Sequence, residues 1–515
     1  MYRMFEIFPG FISWATLIAI VLLSWQFPEG IAIFIILFDI YWLLKTIYFS
    51  LHLRISFNKM KENMKINWLQ ELENGKWKME NGISNWRDIY HLVILPMYNE
   101  PYEVVKETFE ALVKSNYPLD KFIVVLATEE RALRQNSGQA ASTGSGQAGV
   151  EQTAQKIQEE FGNKFFKFLT TAHPENLAGE IPGKGSNQAW AAEEVKNKII
   201  DPLNIPYKNI LVSVFDIDTQ VLPDYFGILT YHFLTAEHPQ QSSYQPVPIF
   251  LNNIYQAPAF ARVISFSSTF WHMIQQARPH RLTTFSSHSM PFKALVEIGF
   301  WQKNAVSEDS RIFWQCYLHY NGDWRVVPIN YPVYMDANVA PGFWQTAVNQ
   351  YKQQRRWGWG AENIPYLLTG FAKNKLIPFS KKLYWGFNYT EGFHSWATNA
   401  LIIFTLGWLP VIIGGSTFRF SLLSYNLPIM TRNIMNFSMI GIISSAFLSM
   451  VLLPPKPKNF KKTDYIWYVI QWLLMPATII LFGSIPALDA QTRLMLSGKW
   501  RLGFWVTPKH RKTGV

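Results

Sequence analysis

Ile210-Leu211-Val212-Ser213-Val214-Phe215-Asp216-Ile217-Asp218 joins an uncharged, mostly apolar run to two aspartates one residue apart. A short continuous apolar run is predicted to be a buried strand. Side chains alternate along a strand, so Asp216 and Asp218 are expected on one side with Ile217 turned into the core. Two carboxylates so placed suit a hard cation such as Mg²⁺ or Mn²⁺, which takes oxygen ligands and commonly bridges carboxylates to phosphate groups. Short acidic triplets also occur in ordinary turns, so the meaning of this one rests on what surrounds it.

Upstream, residues 91–95 form another apolar run, ended by Pro96-Met97-Tyr98-Asn99-Glu100. Residues 122–126 form a third, ended by Ala127-Thr128-Glu129-Glu130, and 167–170 a further strand. Between them, residues 103–115 place Val104, Val105, Phe109 and Leu112 on one helical face. Another helix is expected from about Ser186 onward. Strands alternating with helices predict a parallel sheet with right-handed crossovers. Ligands in such sheets sit at the carboxyl ends of the strands. Residues 96–100, Glu129-Glu130 and Asp216-Ile217-Asp218 all fall at those ends.

Three further clusters carry possible chemistry. Gly183-Lys184-Gly185-Ser186-Asn187 lacks the Walker spacing; it is either a helix start with Ser186 as N-cap or a loop whose Lys184 reaches a phosphate or nucleobase. Ser307-Glu308-Asp309 opens an apolar-periodic segment at 312–320. Its acids either complement a helix dipole or supply a general base, Asp309 or Glu308, for a hydroxyl proton. In Gln353-Gln354-Arg355-Arg356-Trp357, a helix puts Gln353, Arg356 and Trp357 on one face. Arg356 can then neutralise phosphate and Trp357 can stack on a sugar or base; a juxtamembrane basic-aromatic anchor is the alternative. Residues 135–149, rich in Ser, Gly, Gln and Ala, are expected to be a surface excursion without chemistry.

Of the 515 residues 49% are hydrophobic and 16% charged, against roughly 25% charged in an average soluble protein. The apolar surplus lies in blocks at 11–25, 31–48, 393–413, 434–453 and 465–485, each about long enough to cross a bilayer. Nothing comparable occurs between 51 and 385, so a large soluble domain is inserted between two helix groups. The first block has Trp14 and Trp25 near its ends and no small-x-small cleavage site, and reads as a retained anchor. The net charge of +11 follows membrane position rather than a nucleic-acid partner. Lys456, Lys458, Lys461 and Lys462 lie between apolar blocks, and Lys352, Arg355 and Arg356 precede one, which places the soluble domain in the cytoplasm. The lone Cys316 allows no internal disulfide and fits a reducing compartment. One conflict arises: three C-terminal crossings put the tail outside, yet it carries Lys499, Arg501, Lys509, Arg511 and Lys512. Either a fourth segment is hidden, as in a re-entrant piece broken at Pro476 or Pro486, or the tail departs from the rule; a cytoplasmic tail is expected.

In their order along the chain these motifs resemble family 2 glycosyltransferases of the membrane-embedded, processive kind, such as cellulose and hyaluronan synthases. The Gln-x-x-Arg-Trp element carries the resemblance most specifically. It implies an α/β, GT-A-type (Rossmann-like) cytosolic catalytic domain between transmembrane α-helices. The expected organisation is a membrane hairpin at 1–50, a linker at 51–88, the catalytic domain at 89–345, interfacial helices at 346–390, transmembrane helices at 391–490 and a basic tail at 491–515. By position, Pro96, Tyr98, Glu100, Glu129, Glu130 and Lys184 would hold the nucleotide end of a nucleotide-sugar donor, most often a UDP-sugar. Asp216 would contact the nucleotide and Asp218 the metal-bridged diphosphate; both are candidate ligands of a Mg or Mn ion, with Asp218 favoured. Asp309, beside Glu308, would be the general base. Gln353, Arg356 and Trp357 would border acceptor and pyrophosphate, with His288 lining the acceptor site or capping a turn. The implied reaction is an inverting transfer onto a growing polysaccharide, exported through the C-terminal helices of a multi-pass protein of the plasma (inner) membrane. The alternatives are transfer of one sugar to a lipid or lipid-linked acceptor, and a non-catalytic membrane scaffold. Glu129-Glu130 stand where many relatives carry Asp, and Ser307 where the usual residue is Thr.

Overall fold

The structure is a computed structural model describing residues 1–75, 85–132, 149–457 and 460–511. Most of the Ser/Gly-rich stretch, together with Lys458 and Lys512, lies outside the described residues. Eight strands form one sheet: β1 Tyr90–Pro96, β2 Phe122–Glu129, β3 Lys167–His173, β4 Ile210–Val214, β5 Gln220–Val221, β6 Ser242–Phe250, β7 Ser289–Pro291 and β8 Arg325–Met335. Their order is β3-β2-β1-β4-β7-β6-β8-β5. The first four are mutually parallel, as the strand–helix alternation predicts. The second half is mixed rather than parallel: β7 runs antiparallel to both β4 and β6, while β6 and β8 run parallel. The reason is that β7 is entered from a loop at the carboxyl edge of the sheet, not from a crossover helix. That reversal brings the residues before β7 to the same edge as Asp216.

Period-two alternation divides the sheet into two cores. Val93, Leu95, Val124, Leu126 and Leu211 pack on one face with Phe109 and Phe226. Leu92, Ile94, Ile123, Val125 and Val212 pack on the other with Ala192, Phe313 and Trp314. A strand buried on both faces favours apolar residues at nearly every position, which is why β1, β2 and β4 read as largely apolar runs.

Among the described residues four helices are long and apolar enough to cross a membrane: Tyr2–Gln26, Pro28–Asn63, Leu422–Leu452 and Asp464–Leu496. The bent pair Phe379–Phe404 and Leu406–Ile413 forms a fifth candidate, with a 47° break. These mark a membrane protein. The helix from Pro28 runs to Asn63, whose side-chain amide donates to the carbonyls of Ile329 and Asn330 beside the sheet. Asp464–Leu496 is interrupted by a 3-10 turn at Gln471–Leu474 and a π turn at Ile480–Ser484, with Pro476 and Pro486 each starting the piece that follows a break. Proline lacks the N–H that an uninterrupted helix would bond.

Candidate active site

Several strands of the sheet deliver residues to one edge. β1 ends at Pro96 opposite Ala127, β2 ends at Glu129, β6 at Phe250 and β8 at Met335. Beyond β4 the chain leaves strand geometry in a turn closed by the Thr219 N–H on the Asp216 carbonyl. Asp216 and Asp218 consequently take different partners. Asp216 accepts a hydrogen bond from Ser286 Oγ at 3.0 Å and pairs with Lys184 Nζ at 2.8 Å. Asp218 is fully buried; its Oδ2 accepts the Asp336 N–H at 2.9 Å and pairs with Lys509 Nζ at 2.6 Å.

Lys184 is the hub. Its Nζ lies 2.9 Å from both carboxylate oxygens of Asp309 and 3.7 Å from Glu308, as well as bonding Asp216. The two flanking glycines make that reach possible. Gly183 has φ +152°, and a Cβ on it would lie 2.6 Å from the Phe504 ring; one on Gly185 would press on Glu308 at 3.1 Å. The helix begins at Lys184 with Gly183 as N-cap, so Ser186 is not the cap; its hydroxyl donates back to the carbonyls of Ile181 and Gly183. Burial opposes the Lys184 charge, but Asp216, Asp309 and Glu308 outweigh it and raise its pKa. Burial likewise pushes Asp216 up, and Lys184 and Lys509 more than reverse this, holding it below the usual carboxylate range. Burial, reinforced by the charge of Asp309, pushes Glu308 up to about 8. Glu308 is 2% exposed, whereas the Asp309 side chain is 21% exposed. Of the two, Asp309 is the carboxylate open to the cleft.

The Gln-x-x-Arg-Trp residues lie in the helix Phe343–Gly358. Gln353 Oε1 accepts from the amides of Asn338 and Gln350, each at 3.2 Å. Trp357 packs against Phe250, with centroids 6.0 Å apart. Asp336, Asn338, Gln350, Gln353, Trp357 and Phe250 line one small polar-aromatic cavity of about 10 Å³, room for a single water. The Arg356 guanidinium lies over the Phe504 ring at 5.0 Å and acts electrostatically on Asp216 and Glu308. Arg355 points elsewhere, to Asp489 at 3.0 Å.

At the other end, Glu100 accepts the Tyr98 N–H at 2.8 Å, and the Arg131 guanidinium covers the Tyr98 ring at 4.6 Å while bonding Glu129 at 2.5 Å. Burial raises the Glu100 pKa. Glu130 accepts the Glu175 N–H. His288 is 1% exposed and 4.0 Å from Asp309, with its Nδ1 2.9 Å from the Phe285 carbonyl. Burial lowers its pKa, against the opposing charge of Asp309.

The sequence did not point to the C-terminal segment as part of this site. Residues 501–511 cross the cleft without regular structure. Besides the Lys509–Asp218 pair, Arg511 binds Asp336 at 2.6 Å, and Trp505 lies 5.4 Å from Lys352. Ser286 and Asp336 were missed too, because neither belongs to a short motif. For a divalent cation, the fit falls on Asp218: its Oδ1 is buried without a hydrogen-bond partner. Among the described residues no three His, Cys, Asp or Glu converge as a metal cage. Any such ion would take most of its ligands from a bound diphosphate and water, the usual arrangement for Mg²⁺.

The model described as glycosyl transferase family group 2 matches residues 211–482, more than half of the chain. The protein belongs to that family and is a glycosyltransferase, its catalytic domain built on the mixed α/β sheet described above. Among solved structures, the mannosyltransferase PcManGT from Pyrobaculum calidifontis, in complex with GDP-Man and Mn²⁺, is 13% identical with a TM-score of 0.38. That match covers 87% of this chain and 99% of the other. S. aureus TarS in complex with UDP-GlcNAc is 12% identical with a TM-score of 0.36, covering 78% of this chain and 91% of the other. No curated protein sequence matches.

Proposed function

We propose that the protein is an inverting membrane glycosyltransferase that moves a sugar from a nucleotide donor onto a hydroxyl of a growing polysaccharide. The observation that carries this is the bridging of Asp216 and Asp309 by one Lys184 ammonium at 2.8 and 2.9 Å. A donor carboxylate and a base carboxylate thereby border one cleft. Asp309 accepts the acceptor O–H proton as that oxygen bonds the anomeric carbon. The bond from that carbon to the phosphate oxygen breaks on the opposite face, its electron pair leaving with the nucleoside diphosphate. Arg356 and Lys184 supply positive charge where the leaving group gains negative charge. Tyr98, Glu100 and Glu129 border the nucleotide end, Gln353 and Trp357 the acceptor. A Mg or Mn ion on Asp218, when bound, would add Lewis-acid neutralisation of the diphosphate. The runner-up, one sugar passed to a lipid-linked acceptor, uses the same residues. Incubating membranes with a panel of UDP- and GDP-sugars and analysing the product by mass spectrometry tests both. A ladder of repeating mass increments is expected; a single increment on a lipid would replace the polymer, and no turnover of any donor would leave the scaffold alternative.

The contacts also support a topology in which the tail is on the catalytic side. Gly414 lies against Pro28, which joins the turn after Gln26 to the turn after Ile413 at the far end of the helices. Asp464–Leu496, by contrast, touches the catalytic domain along its length: Tyr468 on Arg262, Trp472 on Phe270, Phe482 on Phe260, and Asp489 on Arg355. It lies along the interface instead of crossing, which removes the odd crossing. In a Cys316→Ser background, Gly503→Cys and Glu237→Cys are expected to react with an impermeant maleimide from one side of sealed vesicles, and Phe420→Cys from the other. Labelling of Gly503→Cys from the Phe420 side would overturn this arrangement.

A further inference from the structure

Fifty-odd residues separate the Glu308-Asp309 loop from the turn that follows Arg356-Trp357, yet one buried carboxylate holds them together. Glu362 ends the 3-10 turn Trp359–Glu362, directly after the helix that bears Arg356 and Trp357. Its Oε1 accepts three hydrogen bonds from the base loop: Val306 N–H at 2.9 Å, Ser307 N–H at 2.8 Å and Ser307 Oγ–H at 2.7 Å. Its Oε2 accepts the Trp359 indole N–H at 2.9 Å. Ser307 sits at the N-cap of the helix Glu308–His319 but caps nothing with its own hydroxyl; that hydroxyl is committed to Glu362.

The next residues brace the same junction. The Asn363 amide donates to Ser310 Oγ at 2.9 Å, and to Ser307 Oγ and Tyr389 OH at longer range. Arg311 donates to the Glu362 carbonyl at 3.1 Å, to Gln302 at 2.8 Å and to the Asn363 side chain. Glu362, Asn363, Arg311 and Trp359 are all at most 5% exposed. None of them touches the cleft, so the cluster has no direct part in binding or proton transfer.

We propose that Glu362 is a positioning residue: it fixes Asp309 relative to Arg356 and Trp357, so that base, leaving-group cation and acceptor platform move as one body. The assignment rests on the reading of Asp309 as the base. Hydrogen bonds from N–H and O–H donors to an ionised acceptor are roughly twice as strong as neutral ones, and three of them on one oxygen leave the backbone at 306–307 little freedom. Asp309 follows two residues later. A displacement of the base by about 1 Å costs on the order of 10²-fold in rate even when the chemistry is untouched.

Glu362→Gln preserves shape but sets an amide NH₂ against the Trp359 N–H, or, flipped, against the three base-loop donors. A fall in kcat of about tenfold to 10²-fold is expected, with the donor KM and the affinity for UDP or GDP in the presence of Mn²⁺ unchanged. Hydrogen exchange should speed up in peptides covering residues 303–310 and stay at the wild-type level in β1, β2 and β4. A merely structural carboxylate would instead lower the unfolding temperature and protection throughout, with the kcat of the folded fraction retained; that result overturns the proposal. Asp309→Asn is assayed in the same membranes. If it is inactive while Glu362→Gln turns over like wild type, the positioning role alone falls; if Asp309→Asn is active, the base assignment fails and takes the proposal with it.

Discussion

Asp309→Asn is expected to lower turnover about 10³-fold, in the middle of the range for removal of a general base, with little change in donor KM. The amide is isosteric and cannot accept the acceptor proton. Folding should survive, because Lys184 keeps Asp216 at 2.8 Å and Glu308 at 3.7 Å as partners. Glu308→Gln is the informative companion. Glu308 is buried, its Oε1 has no hydrogen-bond partner, and burial with the adjacent Asp309 charge pushes it up to about 8. An acceptor hydroxyl has access to Asp309 but not to Glu308. If Glu308→Gln lost more activity than Asp309→Asn in single-turnover assays, the roles of the two acids would have to be exchanged. Loss of kcat and kcat/KM in equal measure marks an interaction made only in the transition state, and that is the pattern expected of Asp309.

The parallel half of the sheet was legible because a doubly buried strand leaves a largely apolar run, and the polar residues in or just after the ends of β1, β2 and β4 are gathered by the sheet at one edge. Asp216, Asp309 and Lys184 could be chosen individually by residue type and neighbourhood. Their convergence could not, since it depends on Gly183 and Gly185 allowing Phe504 and Glu308 to come within a Cβ's distance of the loop. The antiparallel β7 escaped because three residues carry no periodicity. The tail escaped for a different reason. Lys509 and Arg511 were read as charges obeying a membrane rule, and nothing local says that they fold back over roughly 290 and 175 residues to Asp218 and Asp336. The broken segment at 464–496 shows the same limit: its hydropathy is that of a spanning helix, and its contacts with Phe270, Phe260 and Arg355 leave no mark in the sequence.

Asp218→Ala is expected to reduce transfer by about 10²- to 10³-fold, the loss typical when one group stabilising a developing charge is deleted, and added Mg²⁺ or Mn²⁺ should not restore it. The carboxylate faces two demands. Its Oδ2 is engaged by the Asp336 N–H and by Lys509, while its Oδ1 is buried with no hydrogen-bond partner. A buried anionic oxygen left without a donor is costly, and a cation is what satisfies it. Alanine removes both functions at once and leaves Lys509 beside Asp336, whose pKa burial and the Asp218 charge raise. Asp218→Asn therefore serves as the control for folding: its amide oxygen can still accept the Asp336 N–H, but it neither balances Lys509 nor attracts a divalent ion. Equal losses in the two variants, measured as turnover against metal concentration, assign the defect to the missing charge. Full activity of Asp218→Asn at high Mn²⁺ would mean that the Asp218 charge does not hold the ion, and the protein's share of the metal site would then have to be sought at Asp336, whose N–H bonds Asp218 and whose carboxylate pairs with Arg511 at 2.6 Å.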